Sequence, residues 1–499
     1  MLKPQLLLDV VYGFVSAPLT VHFSKFSISI SLDSIIWGIY HASSNQFIKK
    51  NLKKLKKKVC KNKYINMSIF NAIPFVILLT SVAVGPAVLK ERWNRVFVPL
   101  IAILFLFEIF MYSFVFQEFC TIIQALYEYV QFIILIATLY FVTAGIEIRV
   151  NIRGNAFINT MILFIGGICA NIFGTTGSAM LFINPFLKIN KGRLAQYHIA
   201  FFIFIVCNIG GSLLPIGDPP LYIGFIKGIP FSWTLIHNFI PWIITTSILL
   251  TIFFFLDTKN KEESQMIIET KERKVLIKGY FNLILLFIVI GSLFINKNFI
   301  PSLPSFNLLG HEICLVRELI LTSVLVVAYI FNNKETLKAN NFSHEPIQEL
   351  AILFLGIFIT MAPVICIIEE YVKTINQSYI TPSLLFWATG LFSSVLDNAP
   401  TYLNMLTASM TSNNFNINDL SHVIEYAKTA TCIPALSAIS IAAIFFGSIT
   451  YISNGPNFMI KKIAEKNDIK MPSFFAFVLR YSLPILIGPF ILIWFFFYR

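Results

Sequence analysis

A helix needs about 20 mainly apolar residues to cross a hydrocarbon core about 30 Å thick, and from residue 67 onward this sequence offers such stretches about eleven times. They run, within a few residues at each edge, over 67–89, 97–117, 127–146, 155–170, 197–226, 236–256, 278–296, 315–332, 347–369, 429–462 and 474–497. Charged residues make up 13% of the chain, against roughly 25% in a soluble domain. A soluble globular fold is thereby excluded. Two further apolar stretches, 171–188 and 383–409, are interrupted by Gly174-Thr175-Thr176-Gly177 and by Asp397-Asn398-Ala399-Pro400. Backbone that leaves the helix at membrane depth must be satisfied by protein or by a water-filled cavity, so both are read as re-entrant hairpins.

The net charge of +13 reads first as an orientation signal. Residues 49–63 hold nine Lys; placing that run in the cytoplasm assigns 24 Lys and Arg to the inner loops against 11 to the outer ones. The expected topology has an inside N-terminus and an outside C-terminus, in the cytoplasmic (inner) membrane. A Lys run can also bind nucleic acid or anionic lipid, but a topology anchor explains it without a further partner, and no nucleic-acid partner is expected. Residues 1–66 are read as a basic cytoplasmic region without the zones of a cleaved signal. The seven Cys are scattered without a C-x-x-C pair and are read as free thiols.

Two stretches resemble each other across the chain. Gly211-Ser212-Leu213-Leu214-Pro215-Ile216-Gly217-Asp218-Pro219-Pro220-Leu221-Tyr222 aligns, at a constant offset of 236, with Gly447-Ser448-Ile449-Thr450-Tyr451-Ile452-Ser453-Asn454-Gly455-Pro456-Asn457-Phe458. Asp218 thus falls on Asn454. Each stretch follows one of the interrupted segments, so the order helix, hairpin, broken helix, helix occurs twice, about 97–256 and about 278–499. An odd number of spans between equivalent elements inverts the second copy. The expected fold is an all-α polytopic membrane domain over 67–499, with about eleven transmembrane helices, two re-entrant hairpins and two broken helices in an inverted repeat. That arrangement points to a secondary transporter with its site near the midplane.

A carboxylate at bilayer depth costs several kcal/mol unless paired or solvated. Asp218 and Asp397 both lie in the interrupted elements, beside oxygen-bearing Thr175, Thr176, Ser212, Asn398, Thr401, Ser448, Asn454 and Asn457. These ten are the candidate ion- and proton-binding residues, since carboxylate, amide and hydroxyl oxygens suit a hard cation, and Na⁺ is placed at Asp397, Asn398 and Asn454. Glu108, in the middle of LFLFEIF, is a secondary candidate whose simpler role is a protonated interhelical hydrogen bond. The seven His show no metal-ligand spacing, and His344 alone stands where it could sense pH. No cofactor is expected.

The stretches NIFGTTGSAMLFINPFL, NIGGSLLPIGDPPLYIGFIKGIPFSW, FSSVLDNAPTYLNM and FFGSITYISNGPNFMIKKIAE resemble the signatures of NhaD-type sodium/proton antiporters, within the ion transporter superfamily that also holds citrate, dicarboxylate and arsenite carriers. The resemblance covers about residues 67–499. It implies exchange of Na⁺, often Li⁺, for H⁺ with hairpins and broken helices at the site, pH homeostasis as the role, and a homodimer. The sequence departs from the pattern at Ser178-Ala179, where the order is reversed, at Asn184 in place of Arg, and at Leu214 in place of Thr.

The rival with the same fold carries a carboxylate or oxyanion, such as citrate or arsenite, together with Na⁺, because half-helix N-termini favour anions; two acids at the site oppose it. An intramembrane aspartyl protease would need two Asp sharing a proton, and Pro215-Ile216-Gly217 before Asp218 lacks the Gly-x-Gly usual at the second Asp of such enzymes. No H-E-x-x-H, Walker A or G-x-S-x-G stretch offers another enzyme.

Overall fold

The computed structural model describes residues 69–89, 93–116, 119–265, 275–295, 300, 302–304, 306–308, 311–340 and 342–499, together with a short pairing of Leu19–Phe23 with Phe26–Ile30. The Lys run at 49–63 and the rest of the basic region lie outside the described residues. The described helices are α1 (Ile73–Leu89), α2 (Trp93–Phe110), α3 (Phe119–Ala144), α4 (Ala156–Ile189), α5 (Gln196–Ile205), α6 (Pro219–Lys227), α7 (Trp233–Thr258), α8 (Tyr280–Ser292), α9 (Val316–Phe331), α10 (Lys334–Ala339), α11 (Glu345–Thr374), α12 (Pro382–Val395), α13 (Asn398–Ser412), α14 (Leu420–Lys428), α15 (Ile433–Phe445), α16 (Gly455–Lys466) and α17 (Phe474–Phe497). Among the described residues the protein is all-α but for three short antiparallel pairs. One of them joins Glu147–Val150 to Val275–Lys278 across more than a hundred residues.

By length and composition alone, six described helical segments suffice to cross a membrane: Arg95–Val115, Thr121–Ala144, Ala156–Ile189, Trp233–Thr258, Glu345–Thr374 and Phe474–Phe497. A seventh results if Leu420–Lys428 and Ile433–Ser448 are joined across their 99° bend. Other apolar stretches hold shorter helices, Ile69–Val82, Gln196–Gly211, Tyr280–Ser292 and Pro382–Val395. Gly-Pro chemistry accounts for two of the shortened helices: Gly210, Gly211 and Pro215 follow α5, and Pro382 opens α12. Large apolar side chains stand exposed along the outer helices, among them Ile103, Leu106, Phe107 and Phe110 on α2 and Phe281, Ile284, Phe287 and Ile288 on α8. Such surface is incompatible with water and suits lipid.

The stretch 155–188 differs from the expected spanning helix followed by a separate hairpin. Gly174 takes φ 74°, ψ 157° inside α4, a conformation that L side chains rarely adopt, and the element folds back there. Ser178 Oγ donates to Gly166 O at 2.6 Å and the Gly154 amide donates to Ile189 O at 2.8 Å; residues so far apart in sequence meet only if the two arms run antiparallel. The second interrupted stretch forms α12 and α13 on either side of Leu396-Asp397, and these two helices also pack together.

Two apolar cores flank the interrupted elements. One gathers α1, α2, α3, α6, α8, α9, α11 and α13 around Phe132, Phe354 and Phe358, with ring centroids 4.4 and 5.6 Å from Phe132. The other gathers α4, α5, α7, α12, α15 and α17 around Phe201, Phe253, Phe386, Phe445 and Phe490. At one end of the second core Asp257 is fully buried and paired: Arg193 Nη2 lies 3.0 Å from Oδ1, Arg193 Nη1 3.1 Å from Oδ2, and Tyr197 and Asn159 donate to the same carboxylate. His198 Nδ1 accepts the Ala195 amide, and its Nε2 stands 3.0 Å from Asp257 Oδ1. This cluster fastens α4, α5 and α7 to one another.

Removing one partner of a buried ion pair costs about 3–5 kcal/mol, because the other charge stays buried alone. Arg193→Met is therefore expected to lower the thermal midpoint of the purified protein sharply, and Arg193→Met with Asp257→Asn to recover part of the loss. A single variant as stable as the parent would show that the pair does not hold these helices.

Candidate functional site

The site forms where four breaks in helical backbone meet. α5 ends at Ile205, a single 3₁₀ turn follows at Ile209–Gly211, and irregular chain leads to α6 at Pro219. In the later half α15 ends at Phe445, a 3₁₀ turn spans Phe446–Ser448, and α16 starts at Gly455. Glycine is required at these crossings: a Cβ on Gly217 would lie 2.1 Å from Gly211 O, and one on Gly210 would lie 2.5 Å from Gly167 Cα. Backbone therefore packs on backbone between the first folded-back element and the first break.

Each break receives a hydrogen bond from the tip of a folded-back element. The Thr175 amide donates to Gly217 O at 2.8 Å, and the Asn398 amide donates to Ser453 O at 3.3 Å. Gly217 and Ser453 immediately precede Asp218 and Asn454, the residues 236 apart. Ser212 and Ser448 also behave alike, each hydroxyl donating to a carbonyl three residues earlier, Ile209 O at 3.0 Å and Phe445 O.

Asp218 stands at the centre with 1% of its surface exposed. Its Oδ1 accepts from Thr175 Oγ at 2.7 Å and from Asn454 Nδ2 at 3.1 Å, and its Oδ2 accepts from Asn398 Nδ2 at 2.6 Å. One donor comes from each folded-back element and one from the opposite break, and all three are neutral. A buried carboxylate is tolerable on such terms, because protein donors replace the water it has lost.

Of the ten residues singled out from the sequence, Asp218, Thr175, Asn398 and Asn454 are thus in direct contact. Asn457 adjoins them through Asn208 and spends its own amide on Gly447 O and Thr450 O, both at 2.8 Å. Ser212 and Ser448 are turned to their own helix ends. Thr401 donates to Asp397 O at 2.9 Å, and Thr176 is half-buried. Asp397 is half-buried and caps α13, its Oδ1 accepting the Ala399 amide at 3.0 Å, and it immediately precedes Asn398, which donates to Asp218. Glu108 lies apart, 2% exposed, beside an apolar cluster shared by α2, α3 and α11; its Oε1 has no hydrogen-bond partner among the described residues.

Sequence reasoning missed two residues. Asn208 donates to Ile203 O at 2.8 Å and to Asn457 Oδ1 at 2.7 Å, while its Oδ1 faces Asn454 Nδ2 at 3.1 Å. Asn171 ties the first folded-back arm to the break, donating to Gly210 O at 2.6 Å and accepting the Leu213 amide at 2.9 Å. The available signal was an isolated Asn inside an apolar run, in IFIVCNIGG and in ICANIFG.

The electrostatics of the helix ends are uneven. α6 begins with Pro219-Pro220, α16 carries Pro456 and α13 carries Pro400 in the first turn. Proline has no N–H, so these N-termini present fewer donors to an anion than an ordinary helix start. Among the described residues no group of three or more His, Cys, Asp or Glu could hold a metal ion.

No curated protein matches the chain. The sequence family CitMHS_2, described as "Putative citrate transport", matches residues 64–498, nearly the whole of the helical region. The chain therefore belongs to this family, as a polytopic membrane transporter of the citrate and ion transporter superfamily.

Proposed function

We propose that the chain exchanges Na⁺, with Li⁺ as an alternative, for H⁺ in the manner of NhaD-type antiporters. The observation that carries this reading is the composition of the site: a buried carboxylate, Asp218, held by three neutral donors, with a second acid, Asp397, next in the chain to one of those donors, Asn398. Neither Lys, Arg nor His is among its direct partners. Such a carboxylate can hold a proton or a cation but not both at once. A carrier whose two cargoes exclude each other at one group exchanges them.

The matched bonds support an inverted repeat, with the breaks 206–218 and 446–454 as its equivalent parts and the elements around Gly174 and Asp397 as re-entrant hairpins. Asn398 and Asn454 suit the cycle because an amide carries both donors and an acceptor: its NH₂ solvates the ionised acid, and its oxygen serves a protonated acid or a cation. In this reading about eleven spans cross the cytoplasmic membrane, with the N-terminus inside and the C-terminus outside.

A second reading has the family description on its side, which favours it over exchange: a carboxylate such as citrate, or an oxyanion, moving with Na⁺. The two acids and the proline-poor-in-donor helix starts weigh against an anion at this site. Everted vesicles from a host without its own antiporters separate the two. Exchange predicts Na⁺-driven recovery of a quenched pH dye with no accumulation of labelled citrate; citrate uptake without dye recovery would establish the carboxylate carrier.

In the same vesicles Asp218→Asn is expected to abolish exchange. Asp397→Asn keeps a residue able to cap α13 and removes only the charge, so it isolates the electrostatic part; strongly weakened exchange is expected. Full rates in the Asp218 variant would remove it from the site.

Because proton and cation compete, raising the proton concentration tenfold should raise the apparent KM for Na⁺ by up to about tenfold, simple mass action. A KM that stays flat from about pH 7 to 9, with only the maximal rate changing, would place the proton elsewhere.

A further inference from the structure

The Asn454 side chain is crowded by oxygen. Its Nδ2 lies 3.1 Å from each of Cys207 O, Asn208 Oδ1 and Asp218 Oδ1. An amide nitrogen has two hydrogens, so three acceptors compete for two donors around a single point. Cys207, Asn208 and Asp218 are buried to within a few per cent and Asn454 is 3% exposed, so water has little access to make up the shortfall. The Cys207 carbonyl follows the C-terminal end of α5, where the helix dipole and unpaired carbonyls place partial negative charge.

We infer that Cys207 O, Asn208 Oδ1 and Asp218 Oδ1 are the ligands of a monovalent hard cation, with the Asn454 NH₂ occupying the position that the cation takes. On cation entry Asn454 turns over and presents Oδ1 as a fourth ligand. A backbone carbonyl, an amide oxygen and a carboxylate form an all-oxygen set suited to a hard ion, and a single carboxylate among them balances a single positive charge. This assignment rests on the exchange reading and replaces the ligand set Asp397, Asn398 and Asn454 with one that uses only Asn454 from it. It also gives Asn208, which the aligned repeat leaves without an equivalent because Ile444 stands at the matching position, a role specific to the first half.

The test is thermal unfolding of the purified full chain titrated with NaCl against choline chloride at constant ionic strength, with LiCl and KCl as further arms. A ligand that binds only the folded state raises the midpoint in a saturable way, and Na⁺ is expected to do so in the parent. Asn208→Ala should weaken the apparent Kd by at least about tenfold. Because Asn208 also braces Ile203 and Asn457, so that its loss weakens the fold as well as the site, Asn454→Asp provides an independent readout. It removes the two amide hydrogens and adds ligand charge, so it should be less stable than the parent in choline, recover in Na⁺, and bind Na⁺ at least about tenfold more tightly. The same Na⁺ dependence in parent and both variants would overturn the assignment while leaving cation exchange intact. No stabilisation of the parent by any alkali cation, together with no Na⁺-driven dye recovery in vesicles, would overturn the assignment and the exchange reading together.

Discussion

An ionised carboxylate in the interior of a membrane protein must be solvated by the protein itself, and Asp218 is the group around which this chain is arranged. Its three donors come from Thr175, Asn398 and Asn454, residues on elements separated by most of the sequence. Each stands at a break in helical backbone: Thr175 follows Gly174, Asn398 opens α13 and Asn454 directly precedes α16. The breaks at Gly174, at 206–218, at Leu396-Asp397 and at 446–454 bring these three donors to the carboxylate. Their backbone groups are satisfied in turn by Asn171, Asn208, Asn457 and the paired tip amides.

The surrounding helices hold that arrangement by two means. Phenylalanine-rich packing fills both cores, and a few buried polar contacts tie elements together: Arg193 with Asp257, Lys227 with Glu128 at 2.7 Å, and Gln131 on α3 donating to Glu318 on α9 at 3.1 Å. Lys227 is the last residue of α6, whose first turn follows Asp218. Its bond to Glu128 on α3 thus anchors the far end of the short helix that carries the site, while Gly228, with φ 123°, lets the chain turn away.

Much of this was legible in the sequence. The 236-residue offset that set Asp218 against Asn454 is the separation of two side chains now 3.1 Å apart, and GTTG and DNAP mark the tips that donate to the breaks. Other features were not legible for physical reasons. Apolar periodicity identifies helix without saying where it folds back, so the first arm of α4 read as a span of its own; only the contacts of Ser178 with Gly166 and of Gly154 with Ile189 reveal the reversal. Ser212 and Ser448 looked like ligands because they are polar in an apolar setting, yet a hydroxyl can equally bond its own helix end, and both do. Asn208 lies outside the aligned repeat and so draws no signal from it, and Asp397 reads from sequence as a site acid although its side chain also serves as a helix cap.

The central claim is that one carboxylate, Asp218, holds a proton and a cation by turns. It is tested most directly by adding Na⁺ to the purified protein in weakly buffered solution and following proton release with an indicator dye. The account predicts release that saturates with Na⁺, vanishes at high pH where the proton has already left, and is absent in Asp218→Asn. Undiminished release from that variant, or Na⁺ binding by the parent with no proton released at any pH, would contradict it.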